Sequence, residues 1–186
     1  IPGLTMIEPS CEEEVELLFD WCVNTSPGSS YLRLVSLPVD IPFKLPVGYF
    51  PILGKGVKLT DGNDLVVISY GPLLLSAAVE AANQLQLSNN FGIKVINHPW
   101  LNNIDYDWFT HELNGCTKVL VLDNHYEIGA QADLIARLVV QNVMNELSIY
   151  SLGVSDIPKS GTNSEVLSDV KLDTKSIVKE IRRLMQ

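Results

Sequence analysis

Apolar runs alternate with amphipathic segments along most of the chain, and each apolar run is bounded by turn residues. The first such run, Leu65–Tyr70, predicts a buried strand. Helix and strand then alternate. The predicted elements are a helix at 72–87, a strand at 93–97, a helix at 105–113, a strand at 118–122, a helix with Ile128, Ala132, Ile135, Val139 and Val143 on one face, a strand at 148–152, and a final helix capped by Asp173. This order predicts a three-layer α/β fold, with helices on both faces of a mainly parallel sheet.

The first 36 residues have a different pattern, which predicts a strand, a helix and a second strand. Ser10 and Glu13 have the spacing of a capping box for a helix that ends near Asn24. Because the chain opens inside this unit without an initiator Met, we expect a fragment or a non-catalytic subunit. Four prolines in residues 37–58 indicate an extended linker over a surface, and residues 59–186 then form a second domain.

Composition narrows the class of protein. The chain has 46% apolar residues, 13 basic and 22 acidic side chains, and a net charge of −9, which disfavours nucleic acid as a partner. Its apolar runs are far shorter than the roughly 20 residues of a membrane helix, so no membrane partner is expected. Three cysteines do not make a disulfide framework. These features predict a soluble, cytoplasmic protein.

The best candidate site follows the predicted strand 118–122. Asp123, His125 and Glu127 come at its carboxyl end, the edge where such sheets place ligands, and His98 follows the preceding strand. A general base, a metal ligand and a hydrogen-bonded loop all fit these residues. Since no nucleophile accompanies them, a structural or interface role is favoured over a ligand site.

Short motifs spread over the chain resemble, in order and spacing, the carboxyl-terminal section of the transketolase family. That family includes deoxyxylulose phosphate synthase and the beta subunits of 2-oxo acid dehydrogenases. The matching pieces include Pro2-Gly-Leu-Thr, Tyr31-Leu-Arg-Leu34, Gly54-Lys-Gly56, Asp61-Gly-Asn-Asp-Leu-Val-Val-Ile-Ser-Tyr-Gly-Pro72, Val121-Leu-Asp-Asn-His125 and Gly153-Val-Ser-Asp156. Where the family often has Gly-Gly-Leu-Gly, this chain has Gly129-Ala-Gln-Ala132, which suggests a divergent member.

The resemblance implies that residues 1–36 end a pyrimidine-binding domain and that residues 59–186 are the family's carboxyl-terminal domain. The intact enzyme would use thiamine diphosphate and magnesium to move a two-carbon ketol unit between sugar phosphates. No catalytic, cofactor-binding or metal-binding residue is assigned in this chain, which alone is expected to be inactive and to serve subunit packing. Its expected partner is a second copy or an amino-terminal transketolase chain.

Arg33 matches, within a position or two, an arginine that the family directs toward the sugar phosphate, although an ion pair with a nearby carboxylate explains it equally well. Two alternatives to the leading function remain open. One is a section of an enzyme like deoxyxylulose phosphate synthase. The other is a stand-alone, non-catalytic module that binds a small anion at His98, Asp123 and His125.

Overall fold

The amino-terminal segment forms a strand–helix–strand unit in the computed structural model, which describes residues 1–89, 91–113 and 115–186. Strand β1 (Leu4–Ile7) pairs in parallel with β2 (Ser29–Leu32), and helix α1 (Glu12–Asn24) connects them. Leu18 and Trp21 of α1 are buried against Ile7 and Trp100, so the unit packs on a residue of the second domain. We call residues 1–36 the amino-terminal unit.

The start of α1 differs from the prediction. The N-cap residue is Cys11, whose side chain makes no capping hydrogen bond, so the predicted capping box of Ser10 and Glu13 is wrong. Ser10 instead donates from its backbone N and its Oγ to Glu14 Oε2, at 2.7 and 2.6 Å. Glu14 takes this place because it lies on the buried face of α1, whereas Glu13 is exposed.

The second domain is built on a five-stranded sheet. Its spatial order is β3-β5-β4-β6-β7, and all neighbours are parallel except the antiparallel pair of β3 with β5. The chain therefore enters the sheet at the short edge strand β3, continues to the central strand β4, and then adds β5 on one side and β6 and β7 on the other. The strands are β3 (Val57–Lys58), β4 (Leu65–Ser69), β5 (Ile93–Asn97), β6 (Lys118–Tyr126) and β7 (Ser148–Val154).

Helices cover both faces of this sheet, which confirms the predicted three-layer α/β fold. They are α2 (Pro72–Asn89), α3 (Tyr106–Leu113), α4 (Gln131–Gln141), α5 (Asn163–Asp169) and α6 (Thr174–Leu184). Alternate strand residues such as Val67 and Ile68 face opposite layers: one core packs against α2 and α6, the other against α3 and α4. No helix in the described ranges has both the length and the apolar character needed to cross a membrane.

Three local features depart from the predicted elements. Ile128 and Val143 are 71% and 69% exposed and lie outside α4, because Ala130 and Asn142 cap that helix at its two ends. Strand β6 continues past Leu122 to Tyr126, so Asp123 lies within a strand and not in a loop. Helix α5 and strand β3 were not predicted, although the capping box of Thr162 and Glu165 marks the start of α5.

The proline-rich segment has no helix or strand between residues 33 and 56. It is nevertheless held in place, since Leu45 and Pro51 are buried and the Tyr49 hydroxyl donates to Glu14 Oε1 at 2.8 Å. The segment thus contacts the amino-terminal unit while leading the chain into the sheet.

Candidate functional site at the carboxyl edge of the sheet

The carboxyl ends of β4, β5 and β6 meet at the sheet edge that α/β proteins commonly use for ligands. In this chain the amino-terminal unit packs on that edge. Ile7 forms an antiparallel bridge with Trp100, and the Glu8 backbone N donates to Pro99 O at 3.0 Å. Side chains from both parts of the chain therefore fill the edge together.

Asp123, the first candidate residue, stabilises the start of α4. Its Oδ1 accepts from Gln131 N at 2.9 Å and from the Tyr70 hydroxyl at 3.1 Å, and its Oδ2 accepts from Ala132 N at 3.1 Å. Because Ala130 has no side chain that can cap α4, Asp123 supplies the acceptors from β6. Burial raises the pKa of Asp123, and the backbone donors of Ala132 and Gln131 oppose that rise.

His98, the second candidate, is fully buried and both ring nitrogens have partners. Nε2 lies 3.1 Å from Gly54 O, and Nδ1 lies 3.0 Å from the side-chain Nε2 of Gln131. That Gln131 nitrogen also lies near the carbonyl oxygens of His98 and Trp100, which can only accept. Gln131 is therefore the donor to Nδ1, and the ring proton belongs on Nε2. The ring is neutral, since burial lowers the pKa of His98 to about 4.

This buried imidazole gives a pH-dependent stability. Between pH 6.5 and pH 4 the unfolded chain binds a proton at His98 that the folded chain does not, so the free energy of unfolding falls as pH falls. The loss attributable to His98 should reach about 3 kcal/mol by pH 4. Urea unfolding of wild type and of His98→Gln at pH 7 and pH 4.5 measures it. The difference between them should shrink in acid, whereas the exposed control His111→Gln should follow wild type at both pH values.

His125 lies near the end of β6, and Glu127 directly follows that strand. His125 is exposed, and its Nδ1 lies 3.0 Å from Tyr126 O, while Glu127 is half-buried against Gly153 of β7. Within the described residues, no hydrogen bond or ion pair joins His98, Asp123 and His125. His98 and Asp123 thus have no free hydrogen-bond donor to offer to the predicted anion. A role for His125 and Glu127 stays a prediction.

Arg33 is joined to Glu8, a residue that sequence reasoning did not select. Nε and Nη2 of Arg33 both contact Glu8 Oε2, and Nη2 also donates to Asn124 O at 3.1 Å. The guanidinium lies 5.7 Å from the centre of the Tyr70 ring. A signal for this pair existed: Ile7 and Leu32 are register partners, so Glu8 and Arg33 directly follow two paired strands. The ion pair that the sequence left open is therefore present.

The Glu8 carboxyl is completely buried, with a 0% exposed side chain. Burial raises the pKa of Glu8, and the charge of Arg33 is the main influence that lowers it. Gly71, with φ of 69°, allows the close approach, because a Cβ at this position would lie 2.1 Å from Glu8 Oε1. Glu8 and Arg33 thus link β1 and β2 to the ends of β4 and β6.

Glu14 is a second buried carboxylate at this edge, and sequence reasoning also missed it. Besides the two Ser10 donors, its Oε1 accepts from Tyr49 and from Asn97 Nδ2, each at 2.8 Å. These donors come from the loop before α1, from the proline-rich segment and from β5. One side chain therefore joins three parts of the chain, and the described residues give it no cationic partner.

A cleft of about 370 Å³ opens beside this edge, between the start of α1 and the proline-rich segment. Most of its lining is apolar, and Cys11 supplies its thiol. Burial raises the pKa of Cys11, which keeps the thiol protonated and makes it a poor nucleophile. Among the described residues, no group of three or more His, Cys, Asp and Glu side chains is placed to hold a metal ion.

Comparison with known proteins agrees with this architecture. The family model described as "Transketolase, C-terminal domain" matches residues 54–177. A transketolase family protein of Sinorhizobium fredii is 28% identical over 98% of this chain and 52% of its own length. A 1-deoxy-D-xylulose-5-phosphate synthase of Halothermothrix orenii is 25% identical over 100% of this chain and 29% of its own length. The chain thus spans about half, or less, of these relatives.

Among solved structures, a split gene transketolase, described as an inactive beta4 tetramer, has the same fold. It superposes with a TM-score of 0.88 at 19% identity, covering 100% of this chain and 59% of that one. The superposition includes the amino-terminal unit as well as the five-stranded domain. The chain belongs to the transketolase C-terminal domain family.

Proposed function

We propose that this chain is the carboxyl-terminal part of a transketolase-like enzyme that transfers a two-carbon ketol unit between sugar phosphates. The main support is the match of residues 54–177 to the family model, together with the superposition of the whole chain, including the amino-terminal unit, on the split gene structure. The main role of this part is subunit packing. Its partner is a second copy or an amino-terminal transketolase chain, and the assembly works in the cytoplasm.

The cofactor belongs to the partner section in this proposal. Thiamine diphosphate with magnesium needs oxygen ligands for the metal and donors for the diphosphate. Glu14 and Asp123 have hydrogen-bond donors on both carboxylate oxygens, and Glu8 is paired with Arg33 through Oε2, while its buried Oε1 has no hydrogen-bond partner in the described part of the chain. The described residues offer no clustered set of metal ligands. These residues do not fit the cofactor, so we assign its binding elsewhere.

Arg33 is the residue of this chain that we propose contacts the sugar phosphate. Its side chain remains 24% exposed while its Nε and Nη2 are held by Glu8 and Asn124. A guanidinium fixed on one side can present its other side to a phosphate. The conservative variant Arg33→Lys should raise KM for the sugar phosphate with little change in kcat. An unchanged KM would mean that Arg33 only forms the ion pair with Glu8 and does not contact the phosphate.

Reconstitution tests the function. The chain should show no heat of binding to thiamine diphosphate and magnesium in calorimetry. Mixed with an amino-terminal transketolase section from the same genome, it should catalyse ketol transfer from a ketose phosphate to an aldose phosphate. Formation of deoxyxylulose phosphate in that mixture would favour the synthase instead, and stoichiometric, magnesium-dependent cofactor binding by the chain alone would overturn the proposal.

A further inference from the structure

The outer edge of β7 presents unpaired backbone groups. Ser148 N donates to Thr117 O at 2.8 Å and Val154 O accepts from Glu127 N at 3.2 Å, so the backbones of Ser148 and Val154 point toward β6. Because direction alternates along a strand, the backbones of Ile149, Ser151 and Gly153 point away from β6. Of these residues, Ser151 is exposed, Ile149 is half-buried and Gly153 is buried. Within the described part of the chain, β7 pairs with no strand other than β6.

The two edges of the sheet are protected very differently. On one side, β3 has two residues and carries the exposed Lys58, two features that discourage pairing with another chain. On the other side, β7 has seven residues, Ser-Ile-Tyr-Ser-Leu-Gly-Val, with neither a charge nor a proline. A long, uncharged edge of this kind is a template for a further strand.

We propose that β7 pairs antiparallel with β7 of a second copy, across a twofold axis at Ser151, to form a continuous ten-stranded sheet. An antiparallel edge is its own complement under a twofold axis, so an identical copy can pair with the exposed backbone groups of Ser151 at the axis. In this register Ser151 faces Ser151, Ile149 faces Gly153, and Tyr150 faces Leu152. No charge lies within the paired segment, although each chain has a net charge of −9.

Side-chain packing supports this register. Tyr150 and Leu152 are half-buried and pack on the same core as α2 and α6. Their cross-strand contact in the dimer would continue that core from one copy into the next. Ser151 is exposed, so its side chain is free to meet its counterpart at the axis. The inference rests on the subunit-packing role in the proposed function and assigns that role to the outer edge of β7. It does not depend on the ketol chemistry.

Charge variants at the axis test the interface. Light scattering should give wild type a mass of at least twice the chain mass of 20.6 kDa. Ser151→Glu and Ser151→Lys each place like charges opposite each other across the axis, so each should halve that mass. An equimolar mixture of the two should restore it, because the charges are then opposite. The control Ser151→Thr keeps the backbone donor and should behave as wild type.

A second variant separates the interface from folding. Ser151→Pro removes an outward donor while a proline is tolerated at a strand edge, so it should give the halved mass with an unchanged circular dichroism spectrum. A monomeric wild type, or an unchanged mass in both Ser151→Glu and Ser151→Pro, would overturn the inference. If the reconstituted Ser151→Pro protein still transfers ketol units, the substitution affects only the β7–β7 pairing. If wild type forms the β7–β7 dimer but the reconstituted protein transfers no ketol unit, the proposed chemistry is contradicted and the inferred interface is not.

Discussion

Arg33→Met should lower the free energy of unfolding by about 4 kcal/mol at pH 8, because it leaves the fully buried Glu8 carboxylate without its cation. Removing one partner of a buried ion pair costs more than the pair contributes, since the remaining charge stays out of water. Chemical denaturation of wild type and variant at the same ionic strength measures the loss.

The pH dependence identifies Glu8 as the cause. The pKa of Glu8 is already raised by burial above its usual value of 4.5, and loss of Arg33 raises it further. When a carboxyl has a higher pKa in the folded than in the unfolded state, the folded protein is more stable with that carboxyl protonated. The free energy of unfolding of the variant should therefore fall as pH rises through the pKa of Glu8 in the folded state, and part of it should be recovered in acid. The double variant Glu8→Gln with Arg33→Met should lose less than Arg33→Met alone. A loss below about 1 kcal/mol, or a loss independent of pH, would contradict the assignment.

Glu14→Ala should also cost about 4 kcal/mol, because it removes the acceptor of four hydrogen bonds and leaves the buried donors of Ser10 and Asn97 unsatisfied. The neighbouring Glu13→Ala is the matched control. Glu13 is exposed on the same turn of α1, and its loss should change stability by less than about 0.5 kcal/mol.

Glu14→Ala should have a second, local effect. Tyr49 anchors the proline-rich segment through Glu14 Oε1, so limited proteolysis should cut residues 37–50 faster in this variant than in Glu13→Ala. Mass spectrometry of the first fragments locates the cut. Equal stability and equal cleavage of the two variants would show that Glu14 does not hold the segment.

The elements that could be predicted from sequence are those whose signals are local. The apolar runs at Leu65–Ser69 and Ile93–Asn97 are strands, and Asp173 caps the last helix by accepting from Ser176 N. The ends of α4 were misjudged because the apolar spacing continues to Ile128 and Val143, while the backbone breaks at Gly129, with φ of 80°, and at Asn142. Periodicity alone does not report such a break.

The site was less predictable because its contacts join residues that are distant in sequence. Glu8 and Arg33 are separated by 25 positions, and Glu14 and Asn97 by 83. Asp123 illustrates the limit: its place after an apolar run suggests a reactive carboxylate, whereas its hydrogen bonds show a cap for α4. The chemistry of a buried carboxylate depends on its donors, and those are known only once the chain is folded.

The filled carboxyl edge also restricts how this protein can be recombined with its relatives. A crossover within residues 37–58 would separate the Glu14 carboxylate from its side-chain donor Asn97, whereas Glu8 and Arg33 would stay together and Asn124 contributes only a backbone carbonyl. Each hybrid would then inherit the buried Glu14 charge from one parent and the side chain at position 97 from the other. The two sections must therefore be exchanged together, and substitutions on either side of the boundary are expected to be accepted in evolution as matched pairs.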